Sequence, residues 1–171
     1  MSKGGVFHSK RFGVRIAFPE GSAWRIDDRS HPELRAKHDK LGEVWLEMIA
    51  EPSPMSSGKC EDALFQRGDI AVKKLRDPIT PPVTLENEQV ERPRGFETRV
   101  RAVVEVGKKG EPFVGHLVAI GGAPRRCFFF HFFASTENER DLGERLARAR
   151  TEIFDRIDLP EFGTIPKEHL P

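Results

Sequence analysis

A three-layer α/β/α sandwich of the α+β class, with a central and largely antiparallel sheet and two main helices, is predicted by three features of the sequence. Residues 127–133 read Cys-Phe-Phe-Phe-His-Phe-Phe, five phenylalanines in seven positions of a chain that contains no tyrosine. A strand turns alternate side chains to opposite faces, so Phe128, Phe130 and Phe132 point one way and Cys127, Phe129, His131 and Phe133 the other. A strand that is apolar on both sides needs cover on both sides. The turns after 91, 107 and 121 have hairpin length, whereas a parallel crossover needs about a dozen residues or more. Finally, Leu142, Leu146, Ala149, Ile153 and Ile157 step by four, three, four and four, which marks one buried helical stripe.

The elements follow in order. Val6-Phe7-His8 and Phe12–Phe18 form the first strand pair, the second with Phe12, Val14, Ile16 and Phe18 on one face. Pro19 and Gly21 turn the chain into a short strand at Trp24-Arg25-Ile26. Residues 34–39 and 43–50 make a hairpin around Lys40-Leu41-Gly42, followed by a connector over residues 51–57. One helix is predicted over 58–76, with Ser57 as N-cap, Glu61 and Asp62 near its positive end, and Gly68 as a weak point in its middle where a break has room to form. Proline at 78, 81 and 82 stops it. Strands at 83–90, 96–106 and 113–120 follow, with Gly107-Lys108-Lys109-Gly110 as a hairpin tip and Gly121-Gly122-Ala123-Pro124 turning into the phenylalanine strand. Thr136 and Glu139 have capping-box spacing for the last helix, over 137–157, which Pro160 ends. The organisation is one domain over residues 5–159 with a tail over 160–171.

With 171 residues the chain is long enough to bury a core without staples. Lys plus Arg is 28 and Asp plus Glu is 27, so the basic excess of a nucleic-acid binder is missing, and no nucleic-acid partner is expected. Arg145, Arg148 and Arg150 read as the solvated face of the last helix. No run of about 20 apolar residues is present, so no membrane span is predicted. The start lacks the apolar core of a secretory signal. As written, the chain is expected in the cytoplasm. The alternative is a periplasmic or outer-membrane-associated protein whose native leader has been removed. Cys60 and Cys127 are too few for a structural zinc site; composition leaves them open between two reduced, buried thiols and one disulfide.

Three stretches carry a family resemblance: Phe12-Gly13-Val14 through Phe18-Pro19 to Trp24; Gly95-Phe96-Glu97-Thr98-Arg99 through Gly115 and Ala119 into Cys127-Phe128-Phe129-Phe130; and a closing helix ending at Phe154. Together they resemble the PsbP-like fold, which is shared with a eukaryotic Ran-binding regulator and many small bacterial proteins. Trp24-Arg25-Ile26-Asp27-Asp28-Arg29-Ser30, Lys59-Cys60-Glu61 and Arg126-Cys127 further resemble uncharacterised myxobacterial proteins of this type. Many of those look like exported lipoproteins, a setting that a Cys60–Cys127 disulfide would suit. This sequence lacks their signal and lipobox cysteine. The resemblance implies a fold and transfers no active site.

A search for chemistry gives little. The histidines are His8, His31, His38, His116, His131 and His169, and none has the spacing of a helical zinc-protease motif. His131 reads as a core histidine; as a base or ligand it would need a carboxylate partner that the sequence does not point to. His116 lies on the neighbouring strand and is within cross-strand reach of it, but two histidines alone do not make a metal site. Cys60 as a nucleophile would need a nearby base. No nucleophile elbow or phosphate-cradling loop is present. Asp27, Asp28, Glu86 and Glu88 read as solvated carboxylates. Trp24 and Trp45 read as core, and would mark a binding surface if exposed.

The function expected is therefore a non-enzymatic protein-interaction module (an adaptor, chaperone or accessory subunit) with no catalytic residue, cofactor or metal. Its partner is a protein, a second copy of the chain being one candidate. The alternative is an extracytoplasmic, lipoprotein-like structural or ligand-binding protein, and a small hydrolase or metal enzyme ranks last.

Overall fold

The computed structural model describes residues 5–76, 82–105 and 109–160. The alternating segment at 14–18 behaves as its pattern demands. β2 (Val14–Phe18) buries Val14, Ile16 and Phe18 and pairs antiparallel with β1 (Gly5–Ser9), and the two form a hairpin of their own outside the main sheet. A short 3-10 turn at Gly21–Ala23 leads to β3 (Arg25–Asp27), then β4 (Leu34–His38) and β5 (Gly42–Pro54). Further on come β6 (Val83–Val90), β7 (Glu97–Glu105) and β8 (Phe113–Thr136). Among the described residues the main sheet has the order β3-β4-β5-β8-β7-β6, with each neighbouring pair antiparallel.

β8 is not one straight strand. His116 and His131 touch at 2.9 Å, whereas fifteen extended residues span about 50 Å. The chain doubles back near Arg125, which has φ 61. The first arm pairs with β7 and the second with β5, which places the phenylalanine segment mid-sheet.

Each face of that segment has its own cover. On one side Phe128, Phe130 and Phe132 pack beneath α3 (Glu139–Glu152), whose Leu142, Leu146 and Ala149 are buried, with β2 and Phe154 completing the layer. Reciprocal backbone hydrogen bonds between Arg15 and Asp158, at 2.8 and 3.0 Å, tie β2 to the chain after α3. On the other side Val118, Ile120, Cys127 and Phe129 pack against α1 (Ser57–Gln66) and α2 (Ile70–Arg76). Cys60 of α1 and Cys127 of β8 are joined as a disulfide, with Cα atoms 5.6 Å apart.

Several boundaries differ from the sequence reading. The helix expected over 58–76 is two helices, parted at Gly68, where φ is +86. Its N-cap is Ser56, whose Oγ accepts from the Lys59 amide, because Ser57 is already helical and half-turned into the core. Glu61 and Asp62 lie past the first turn; they accept from Arg76, and Glu61 also from Arg101. The connector at 51–54 is the end of β5. Asn138, not Thr136, caps α3: its Oδ1 accepts from the Asp141 amide, while Thr136 Oγ1 donates to the Asn138 carbonyl. α3 stops at Glu152 and passes into a 3-10 turn at Phe154–Arg156. Arg150 is not a solvated charge; it reaches Glu86, Glu88 and Asp155 with its side chain only 13% exposed. Residues 106–108 of the hairpin tip and 161–171 of the tail lie outside the described residues.

Gly122 sets how closely α1 approaches β8. A Cβ there would lie 2.4 Å from the Ser56 carbonyl carbon and 2.6 Å from its oxygen, both backbone atoms. Gly122→Ala is expected to cost about 1–3 kcal/mol by forcing the helix start off the sheet. Gly143→Ala on α3 meets nothing within 4 Å, and is expected to stabilise by up to about 1 kcal/mol through helix propensity. Urea midpoints of the two variants at unchanged m-value check the contrast.

Candidate functional site

The face of β8 that carries Cys127 and Phe129 continues to His131 and Phe133, beyond the end of α1. His131 lies opposite Trp45 of β5, and His116 lies opposite Val103 of β7. The two histidines meet as stacked rings, with centroids 5.1 Å apart and planes 22° from parallel. They are 7% and 8% exposed, so both imidazoles are effectively out of water.

Their hydrogen bonds form a chain with a fixed direction. His116 Nε2 lies 2.5 Å from Glu105 Oε2, and His116 Nδ1 lies 2.9 Å from His131 Nε2. An ionised carboxylate only accepts, so His116 donates through Nε2–H, and its Nδ1 is left as an acceptor. His131 must then donate through its own Nε2–H. One carboxylate thus sets the tautomer of both rings. At the outer end, Lys74 Nζ of α2 donates to the same Glu105 oxygen over 3.3 Å.

The surroundings set the charge states. Burial holds His116 below the usual imidazole range; the Glu105 hydrogen bond and charge oppose this, and Lys74 adds to it. Burial holds His131 well below that range, with His116 and Lys74 acting in the same direction. Burial by itself would raise Glu105, but the hydrogen bond and charge of His116, with Lys74, outweigh it and hold the carboxyl low. The resting form is therefore two neutral imidazoles against one carboxylate.

Beside the chain lies an aromatic shelf. Trp45 is half-buried, with the Arg35 guanidinium 3.9 Å above its ring and Phe133 edge-on at 5.9 Å. Its Nε1 donates to Glu43, and Arg35 is held by Glu33 at 2.6 Å. Glu47 on the same face is bound by Arg67, at 2.8 Å, from the end of α1. Trp24 is elsewhere and buried, under Phe18 and His38, with its Nε1 donating to the Pro19 carbonyl at 2.7 Å. It offers no surface.

Of the other sequence candidates, His8 is exposed, His31 faces Asp27 at 3.8 Å, and His38 is buried, accepting the Lys40 and Leu41 amides at Nδ1. His169 lies outside the described residues. Asp27 caps the turn at Arg29 and Ser30, and Asp28 accepts from Ser9. Glu86 and Glu88 belong to Arg150. Among the described residues no group of three His, Cys, Asp or Glu side chains converges as a metal site: His116 spends both ring nitrogens on the chain itself. The residue that sequence reasoning missed is Glu105. A signal existed, because Glu105 shares a face with Val103, the partner of His116, and diagonal cross-strand neighbours are within reach of long side chains.

No family model matches the sequence, and no curated protein matches it. Among solved structures, the chain is similar to the solution structure of cyanobacterial PsbP (CyanoP) from Synechocystis sp. PCC 6803. The TM-score is 0.56 at 11% identity, over 90% of this chain and 92% of that one. It is also similar to a crystal structure from Bacteroides thetaiotaomicron VPI-5482, at TM-score 0.49 and 10% identity, over 85% of this chain; it spans 47% of that chain's length. At such identity the likeness to CyanoP concerns the fold alone. The fold is PsbP-like.

The buried histidines make stability depend on pH in a definite direction. Above the ordinary imidazole value of 6.5 neither the folded nor the unfolded chain protonates them, and the full stability is present. Below it the unfolded chain takes up protons that the folded chain refuses, so stability falls with pH until the folded imidazoles themselves protonate. Glu105, held below its ordinary 4.5, adds a further loss at more acid pH. Thermal melts between pH 7.5 and 5 are expected to show a falling midpoint in the native protein and a flatter profile in His131→Phe. An equal slope in both would remove His131 as the cause.

Proposed function

We propose that the chain is a non-catalytic protein-interaction module, an accessory subunit that takes up an extended segment of a partner protein along β6. The observation that carries this reading is the outer edge of β6. The strand is eight residues long and ends the sheet: it pairs with β7 on one side, and among the described residues its other side has no backbone partner. Val83 and Leu85 are 42% and 49% exposed there. An unpaired edge is a template for strand addition, with backbone bonds giving affinity and pockets for alternate side chains giving selectivity. A groove of about 410 Å³ next to it, lined by Leu75, Pro82, Thr84, Asn87, Arg99, Arg101 and Val103, offers such pockets.

Self-pairing is disfavoured. A bulge falls between Thr84 and Glu86, and a two-fold antiparallel pairing centred on Asn87 would set Glu86 against Glu88. Like charges directly opposite destabilise a pair, so a different chain is the better occupant. A photo-cross-linking residue at Leu85, introduced in the native host, is expected to give discrete protein adducts, while the same residue at exposed Arg140 on α3 gives none. Equal labelling at both positions, or none at 85, would overturn the reading.

The Cys60–Cys127 disulfide favours an extracytoplasmic setting, because such bonds persist in oxidising compartments. Thiol counting on protein taken from its native compartment under denaturing, alkylating conditions is expected to find no free cysteine. Two free thiols would place the protein in a reducing compartment.

A further inference from the structure

Glu105 serves two partners on one oxygen: Lys74 from α2 and His116 from β8. The mountings of α1 and α2 differ sharply. α1 is held to β8 by the disulfide, whereas α2 follows it through Arg67, Gly68 and Asp69, with Gly68 in the left-handed region that lets the backbone pivot. α2 is seven residues long and buries only Ala71 and Val72, while Ile70 is 69% exposed. It is therefore the lightly held part of its layer, and its Lys74 reaches the carboxylate to which the histidine pair is bonded.

We propose that Lys74, Glu105, His116 and His131 form a proton-operated latch, in which proton uptake by the histidine pair releases α2 from the sheet while α1 stays covalently docked. The hydrogen-bond chain explains why. With both rings neutral, His131 Nε2–H points at the free Nδ1 of His116. A proton arriving at His116 Nδ1 sets two donors face to face across 2.9 Å, and the pair must separate or shift tautomer. The new imidazolium also forms a full ion pair with Glu105 and competes with Lys74 for it. Opening the layer admits the water that the second charge needs.

The other charges facing the pair are already matched. From β7, Arg101 is taken by Glu61 of α1; from β5, Glu47 is taken by Arg67; from α2, Arg76 is taken by Glu61 and Asp62. Two proton-sensitive contacts of α2 are left: Lys74–Glu105, and Asp69, which accepts from the Val72 amide and whose carboxyl burial holds above the usual range. Coupling of this kind is reciprocal: if a proton on His116 weakens α2 docking, then docking must weaken proton binding by the same factor.

The test is amide hydrogen exchange of the full, disulfide-intact chain at pH 7.5 and 5.5, corrected for intrinsic rates. Protection of residues 70–76 is expected to fall at least tenfold more than that of α3 on acidification, and His116→Phe is expected to abolish the difference. Lys74→Met, a change at a half-exposed side chain, keeps the latch testable if His116→Phe does not fold. It is expected to lower α2 protection at both pH values and to move the NMR titration midpoint of His116 upward. Asp69→Asn, which keeps an acceptor that does not titrate, is expected to leave the acid loss of α2 protection in place. Disappearance of that loss in Asp69→Asn, loss of protection in α2 and α3 together, or a His116 midpoint unmoved by Lys74→Met, would overturn the latch.

Discussion

The structure depends on a strand segment that must be covered on both faces. Phe128, Phe130 and Phe132 face one layer, and Cys127, Phe129 and His131 the other. The two demands are unequal. The first face meets a long amphipathic helix, the β1–β2 hairpin and Phe154, and builds the larger core. The second meets two short helices of ten and seven residues, which bury few apolar side chains between them. Helices this short are marginal by themselves, and a crosslink that closes a long loop stabilises typically by about 2–4 kcal/mol. The Cys60–Cys127 bond thus holds the layer that burial supports least.

How much of this was legible follows from how local each cause is. Alternation at 14–18 and 97–105, and the helical stripe from Leu142 to Ile153, act within one element, and their patterns specified it. The two-sided phenylalanine segment even announced the layers. Boundaries were harder, because Ser56 and Ser57, or Thr136 and Asn138, differ as caps only through which hydroxyl or amide meets the free N–H groups of the first turn. Arg150 was misjudged because a helical wheel says nothing of Glu86 and Glu88 across the layer. Glu105 was missed for a similar reason. Its role comes from a diagonal register between β7 and the first arm of β8, and strand register is set by tertiary pairing.

The histidine pair is where local rules and global fold disagree. Val or Phe at 116 and 131 would extend the apolar face without the cost of burying four ring nitrogens, and a buried polar network is commonly no more stabilising than hydrophobes of the same volume. The chain from His131 to Lys74 reduces that cost by pairing its members in a single direction. Satisfaction of this kind depends on protonation state in a way that a hydrophobic contact does not. A place where the fold forgoes the simpler packing for a pH-dependent one is where function is to be sought.

That place also adjoins the least secured helix and the groove leading to the β6 edge. Leu75 of α2 and Val103 of β7, the strand partner of His116, both line the groove. The position of α2 therefore shapes the pockets that an added strand would fill. The covalent pin at Cys60 confines any movement to the half-layer beyond Gly68. The disulfide ties the first helix to the sheet. The second, beyond Gly68, meets the buried imidazoles through the partly exposed Glu105 carboxylate and Lys74, and that chain is where a change of protonation would reach the helix.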